Sequence, residues 1–121
     1  MLLTVIMAFA GAQTAWAQTE TLGGYTFTIE SDGEGQYYKV DCEAALRAIA
    51  TYVNANAANT CSGKRFKQTK DIALTQQFTP IGTYANQTEY RFSGTYDGGG
   101  FTLTGLTVSG AARQALFGYV Q

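Results

Sequence analysis

Phe92-Ser93-Gly94-Thr95-Tyr96-Asp97-Gly98-Gly99-Gly100-Phe101-Thr102-Leu103-Thr104-Gly105-Leu106-Thr107-Val108 is the stretch whose reading decides the fold. Large apolar residues alternate with small or polar ones, the period-2 signature of a strand with one buried face. Glycines interrupt the pattern at each point where the chain must bend. The stretch reads as strand, tight turn, strand, short step, strand. Three short strands cannot bury their apolar faces alone, so the pattern predicts one rung of a repeat that needs a layer on either side.

Composition sets the frame for that rung. The chain has 121 residues, which suits one domain, and only 14% of them are charged. An average domain carries roughly 25% charged residues. Gly is abundant at 14 residues, and the aromatics are eight Tyr, seven Phe and one Trp. Low charge with much Gly, Thr and Tyr suits a β-rich extracellular surface. The formal net charge of -1 offers no electrostatic footprint for nucleic acid. The chain has no His. This removes the commonest general base and metal ligand, along with every Ser-His or Cys-His nucleophile pair. The expectation is a protein without catalysis and without a cofactor or metal.

At the N-terminus, Leu2 to Ala10 forms an apolar run of signal-peptide length, and Ala15-Trp16-Ala17 supplies a small-x-small cleavage site. No Lys or Arg precedes the run. The run is shorter than the ~20 apolar residues of a membrane span. Residues 1–17 are therefore expected to be a signal peptide, placing the chain outside the cell or on its outer surface with no transmembrane span after cleavage. A buried N-terminal strand or helix is the alternative.

Gln18 to Gly24 reads as a loose leader. Tyr25 to Ile29 and Tyr37 to Val40 flank the turn Ser31-Asp32-Gly33-Glu34-Gly35, which predicts a β-hairpin. Asp41 is the expected N-cap of a helix. Cys42, Leu46, Ile49 and Val53 then recur at steps of four, three and four, the buried face of a helix that runs to about Asn54. Glu43 and Arg47 read as a solvated i,i+4 pair. Cys42 and Cys61 are the two cysteines. In a secreted chain they predict one disulfide, with two buried free thiols as the alternative. Beyond them, the segments around Phe66 and Ile72 read as short strands. Lys64, Arg65, Lys67 and Lys70 are read as their solvated outer edge. Tyr84 to Tyr90 is polar and loop-like.

Three pieces of the second half, in order, resemble one family. Asp71-Ile72-Ala73-Leu74 followed by Thr79-Pro80-Ile81-Gly82 is similar to its lead-in, D-I-x-L … x-P-I-G. The stretch from Phe92 to Val108 is similar to its core, F-x-G-T-F-D-G-x-G-x-x-I-x-x-L-x-I. Leu116-Phe117-Gly118-Tyr119 is similar to its ending, G-L-F-G-x, although Ala115 stands in place of the first Gly. The family is the GLUG-type repeat of immunoglobulin A protease-like and other large bacterial surface proteins. The residues carrying the resemblance are Phe92, Gly94, Asp97, Gly98, Gly100, Leu103, Leu106, Val108, Leu116, Phe117 and Gly118. It covers residues 63–121.

The resemblance implies a mainly β chain: the start of a right-handed parallel β-helix (a solenoid), capped at its N-terminus by a β-hairpin and one α-helix. Residues 18–62 would form that cap and residues 63–121 the first coils. A single repeat is too few for a stable solenoid, so the chain is expected to be the N-terminal part of a longer protein whose further coils are its partners. The function expected is that of an adhesin-like structural or binding protein of a bacterial cell surface. One alternative is the N-terminal part of a β-helix lyase or glycoside hydrolase with its site on later coils. The other is a glycan-binding module.

Asp97-Gly98-Gly99-Gly100 could be a calcium turn, but such sites take ~6–8 oxygen ligands. A phosphate cradle needs a helix after its glycines, and a strand pattern follows here. Turn geometry is the better reading. Asp71 and Asp97 could pair as glycosidase carboxylates, or bond to backbone at strand ends. Tyr84 and Tyr90 are candidates for contact with glycans, and host or surface glycans or proteins are the expected outside partners.

Overall fold

The computed structural model describes residues 3–4, 18–107 and 115–120. Its strands are β1 (Leu3–Thr4), β2 (Gln18–Leu22), β3 (Tyr25–Asp32), β4 (Gly35–Val40), β5 (Arg65–Gln68), β6 (Ile72–Ala73), β7 (Thr83–Ala85), β8 (Thr88–Tyr90), β9 (Thr95–Asp97) and β10 (Leu103–Thr104). The helix α1 (Glu43–Ala55) lies between β4 and β5. A six-stranded sheet has the order β1-β2-β3-β4-β5-β9. Its first four strands are antiparallel, and β4, β5 and β9 run parallel. β6 and β10 form a parallel pair, and β7 and β8 an antiparallel hairpin.

Register explains the core. Ile29, Tyr38, Phe66 and Tyr96 stand opposite one another across four strands, so all four share the inner face. Period-2 alternation adds Phe27, Val40 and Gln68 to that face. Phe27 and Phe66 are fully buried, their rings 5.7 Å apart. Each such side chain contributes roughly 1.5–3 kcal/mol of transfer free energy. Helix α1 covers this face with Leu46, Ile49 and Val53, as the helical spacing predicts, and with Ala45, Ala48 and Ala50. The small alanines let the helix approach the aromatic layer closely.

The expected parallel β-helix is not the fold. The chain is a small, mainly β domain with one helix, and its principal sheet is mixed. The hairpin does not stand apart as a cap, because β3 and β4 belong to the same sheet as β5 and β9. The helix lies on the sheet's inner face and makes a second layer. Parallel pairing in the principal sheet runs through two steps, β4–β5 and β5–β9, and goes no further among the described residues. Segments 65–92 meet segments 95–120 once, at β5–β9, β6–β10 and the isolated bridges Ile81–Phe117 and Phe92–Val120. A local period-2 pattern carries no information about whether the neighbouring strand runs parallel or antiparallel, and here both occur.

Smaller expectations are also corrected. Gln18–Leu22 is a strand rather than a loose leader, with Glu20 and Leu22 buried opposite Phe27 and Tyr25. Its Gln and Thr content hid the alternation. Tyr84 to Tyr90 is a hairpin whose turn residues, Asn86 and Gln87, both take positive φ (51° and 61°), the backbone of a two-residue hairpin turn. Cys42, not Asp41, occupies the helix N-cap, and its side chain makes no capping bond. Of the expected signal segment, Leu3 and Thr4 pair antiparallel with Glu20 and Thr19. The rest of residues 1–17, and residues 108–114 with Val108 of the repeat motif, lie outside the described residues.

Glycine is required where one segment crosses another. Gly99 has φ +61°, and a Cβ there would stand 2.5 Å from the Gln68 carbonyl oxygen. Its neighbour Gly98 has open space around the same position. Gly99→Ala is expected to lower unfolding free energy by about 1–3 kcal/mol, and Gly98→Ala to change it by no more than ~0.5 kcal/mol. Urea denaturation of the two variants checks this; equal effects would contradict the crossing geometry.

Candidate functional site

The candidate site is the end of the domain formed by β9, β10 and residues 115–120. Backbone bonds tie each part to the segment beneath it. Ile72 N–H donates to Thr102 O (3.0 Å) and Leu74 N–H to Thr104 O (2.9 Å). Ile81 N–H donates to Leu116 O (2.8 Å), Gly118 N–H to Ile81 O (2.9 Å) and Phe92 N–H to Tyr119 O (2.9 Å). On their other side, β9 and β10 have no strand partner among the described residues. Apolar side chains gather at this open edge. Phe101 is 44% exposed, Leu106 39% and Val120 62%, while Leu103, Leu116 and Phe117 are half-buried. A cleft of about 200 Å³ opens here, lined by Phe92, Gly94, Tyr96, Phe117 and Val120.

The cleft's inner wall continues the core. Phe92 lies 6.1 Å from Phe66 and 5.1 Å from Phe117 (ring centroids), and Tyr96 lies 5.7 Å from Phe117. Burial pushes the Tyr96 hydroxyl up to about 12, and it donates to Gln68 Oε1 at 2.7 Å. Gln68, itself buried, donates through Nε2 to the carbonyls of Lys70 and Thr102, both at 2.9 Å. This buried amide was not singled out from the sequence, where it sits unmarked between two lysines. Asn54 likewise carries no signal in the sequence beyond marking the helix end. It ties α1 to the turn beneath the edge, donating to Pro80 O and accepting from Gly82 N–H.

The motif residues do not converge on a ligand set. Gly94 and Gly118 are crossing points, where a Cβ would meet the carbonyl oxygens of Cys61 and Lys64 or of Gly82 at under 3 Å. Gly100 takes φ +81° in the turn. Asp97 Oδ1 accepts from Gly99 N–H (2.9 Å), and Asp71 Oδ1 accepts from Thr102 N–H (2.8 Å). Both carboxylates thus hold backbone at strand ends. Tyr84 and Tyr90 fall on opposite faces of their hairpin, since Tyr84 pairs with Glu89 and Tyr90 with Thr83.

Cys42 and Cys61 are not brought together. Both are free thiols. Cys42 precedes α1, while Cys61 lies beyond its far end, within electrostatic reach of Tyr52. A 13-residue helix spans ~20 Å, and a disulfide needs Cα atoms within ~7 Å. Cys42 Sγ bonds to the Tyr25 hydroxyl at 3.4 Å, and that contact, with burial, pushes Tyr25 up to about 12. Burial pushes the Cys61 thiol up to about 11, which keeps it protonated and unreactive.

The outer face of the sheet carries a charge cluster rather than a scatter of solvated lysines. Arg65 grips Asp32 with two nitrogens at 2.9 and 2.8 Å, and Lys67 reaches the same carboxylate at 2.9 Å. Both cations lie over the Tyr37 ring, at 5.5 and 5.0 Å. The cluster joins β3 to β5 across β4 and so clasps the antiparallel half of the sheet to the parallel half. Glu43 and Arg47 also do more than pair in solvent. Arg47 donates to the carbonyls of Gln76 and Gln77, and Glu43 accepts from Thr75, which holds loop 75–78 against the helix.

Comparison with protein-family models, with curated proteins and with solved structures gave no match to this chain.

Two outcomes follow from this geometry. The hydrogen bonds from Arg65 and Lys67 hold the Asp32 carboxyl well below the usual carboxylate range. Because its folded value is depressed, its stabilisation is complete above the unfolded value of ~3.9 and is lost as pH falls toward the folded value. Thermal midpoints should therefore fall below about pH 4, and Asp32→Asn should flatten that part of the profile; an unchanged profile would contradict it. With alkylating reagent, the folded chain should lose the Cys42 thiol first and keep Cys61 protected until denaturant is added. A single reductant-dependent pair in the denatured chain would overturn the free-thiol assignment.

Proposed function

We propose that the chain is an exported, non-catalytic, adhesin-like module of a bacterial cell surface that binds by adding an extended β-segment to its open edge. The observation carrying this reading is the juxtaposition of strand edges without a partner among the described residues with exposed Phe101, Leu106 and Val120. An open edge offers a row of backbone donors and acceptors, and adjacent apolar side chains supply the driving force. Solvated edges are normally blunted by charge, yet β10 and residues 115–120 carry none. The apolar N-terminal run with its Ala15-Trp16-Ala17 site supports export, and the GLUG-type resemblance supports a surface protein.

Sedimentation velocity over a concentration series tests the edge. Without a partner segment, the chain is expected to self-associate reversibly. A variant combining Phe101→Lys, Leu106→Lys and Val120→Lys is expected to stay monomeric with its circular dichroism unchanged. A wild-type chain that stays monomeric throughout would sink the edge reading. Alkaline phosphatase fused after Gly24 tests export separately: activity is expected, and an inactive, cytoplasmic fusion would remove that part of the proposal.

A further inference from the structure

We infer that Tyr84 and Tyr119 form a stacking platform for a neutral pyranose oligosaccharide. Tyr84 is 51% exposed and Tyr119 39% exposed, yet their ring centroids lie only 6.4 Å apart with planes inclined at 35°. The two rings are adjacent, inclined to one another and each substantially exposed. Tyr84 comes from the β7–β8 hairpin, and Tyr119 from the terminal segment that packs against the base of that hairpin. Gly82 makes this approach possible, because a Cβ there would stand 2.3 Å from the Tyr119 carbonyl oxygen. The pairing joins residues 35 positions apart and is invisible in the sequence.

The chemistry around the rings fits a sugar better than a purely apolar partner. Both rings carry hydroxyls. Glu89 stands directly across from Tyr84 and is ion-paired with Arg91, both half-exposed. Asn86 and Gln87 offer exposed amides at the hairpin tip. Pyranose rings present an apolar C–H face that stacks on aromatic faces, and equatorial hydroxyls that planar carboxylate, guanidinium and amide groups can bond at their edges. Aromatic rings are suited to such contact because they bring large area at small entropic cost. Two inclined rings accept successive units of a chain. Balanced charge at Glu89 and Arg91 favours a neutral saccharide over a uronate. The inference names a ligand class for a surface-binding module and needs no pairing at the strand edges of β9 and β10: Tyr84 lies on the β7–β8 hairpin, and Tyr119 is the one residue taken from the open end.

Isothermal titration of the full chain with cellohexaose, xylohexaose, chitohexaose and maltohexaose tests it. Saturable binding of at least one is expected. Tyr84→Ala and Tyr119→Ala should each weaken that binding by about tenfold or more, the scale of losing one stacked ring. Tyr84→Phe should retain most of it, and Tyr90→Ala, on the hairpin's other face, should leave it unchanged. Tyr84→Ala should keep the wild-type thermal midpoint, because its ring is exposed. Absence of binding to all four probes, or binding unaffected by Tyr84→Ala, overturns the platform. Neither result bears on self-association through the edge.

Discussion

Phe66 is the constraint on which the rest of this domain depends. It lies at the centre of a chain of ring contacts that runs from Tyr25 and Phe27 in the hairpin, through Tyr38, to Phe92 and Phe117 near the end. These rings meet edge-on or tilted, the geometries in which aromatic quadrupoles attract. Because Phe66 is fully buried, its place fixes where β5 must lie against β4, and so where the antiparallel half of the sheet hands over to the parallel half. Removal of so large a side chain from such a core typically costs about 3–5 kcal/mol, a large share of the stability of a domain this small.

Polar side chains hold what the rings position. Gln68 secures β5 to β9 and to the approach of β10. Asn54 secures the helix to the turn at Pro80, and Arg47 with Glu43 secures the loop before it. Each works by satisfying backbone carbonyls or amides that would otherwise be left bare near the core, where an unmet hydrogen bond costs more than a met one contributes. Glu20 shows the limit of this economy. One of its buried oxygens accepts from the Tyr38 hydroxyl, and the other has no partner among the described residues. The open end depends on the same devices, since its apolar side chains are held in place by strands bonded along their inner edges to β5, β6 and the segment around Ile81.

Much of the local structure was legible. The Leu46, Ile49 and Val53 spacing marks the helix face, because 3.6-residue periodicity is set by the backbone alone. Tyr25 to Ile29 and Tyr37 to Val40 mark the hairpin for the equivalent period-2 reason. The strand at Gln18–Leu22 is not legible, because its partner Phe27 supplies the burial that its own side chains do not advertise. The candidate site was less legible. Tyr84 could be picked out as an exposed aromatic, but its companion is Tyr119, brought there by a glycine crossing. The Cys42 and Cys61 pairing failed because spacing along the chain says nothing of a rigid helix holding the two apart.

The sequence by itself determined which residues bend, which alternate and which form a helix, and hence a mainly β chain with one helix. These are properties of a few neighbouring residues and their allowed dihedrals. Only the tertiary structure decided that the sheet is mixed, that the helix forms a layer on its inner face, and that β9 and β10 have no outer partner among the described residues. Strand direction, register and layer order arise from contacts between residues tens of positions apart. A strand with one apolar face satisfies a parallel or an antiparallel neighbour equally well until the aromatic core selects between them.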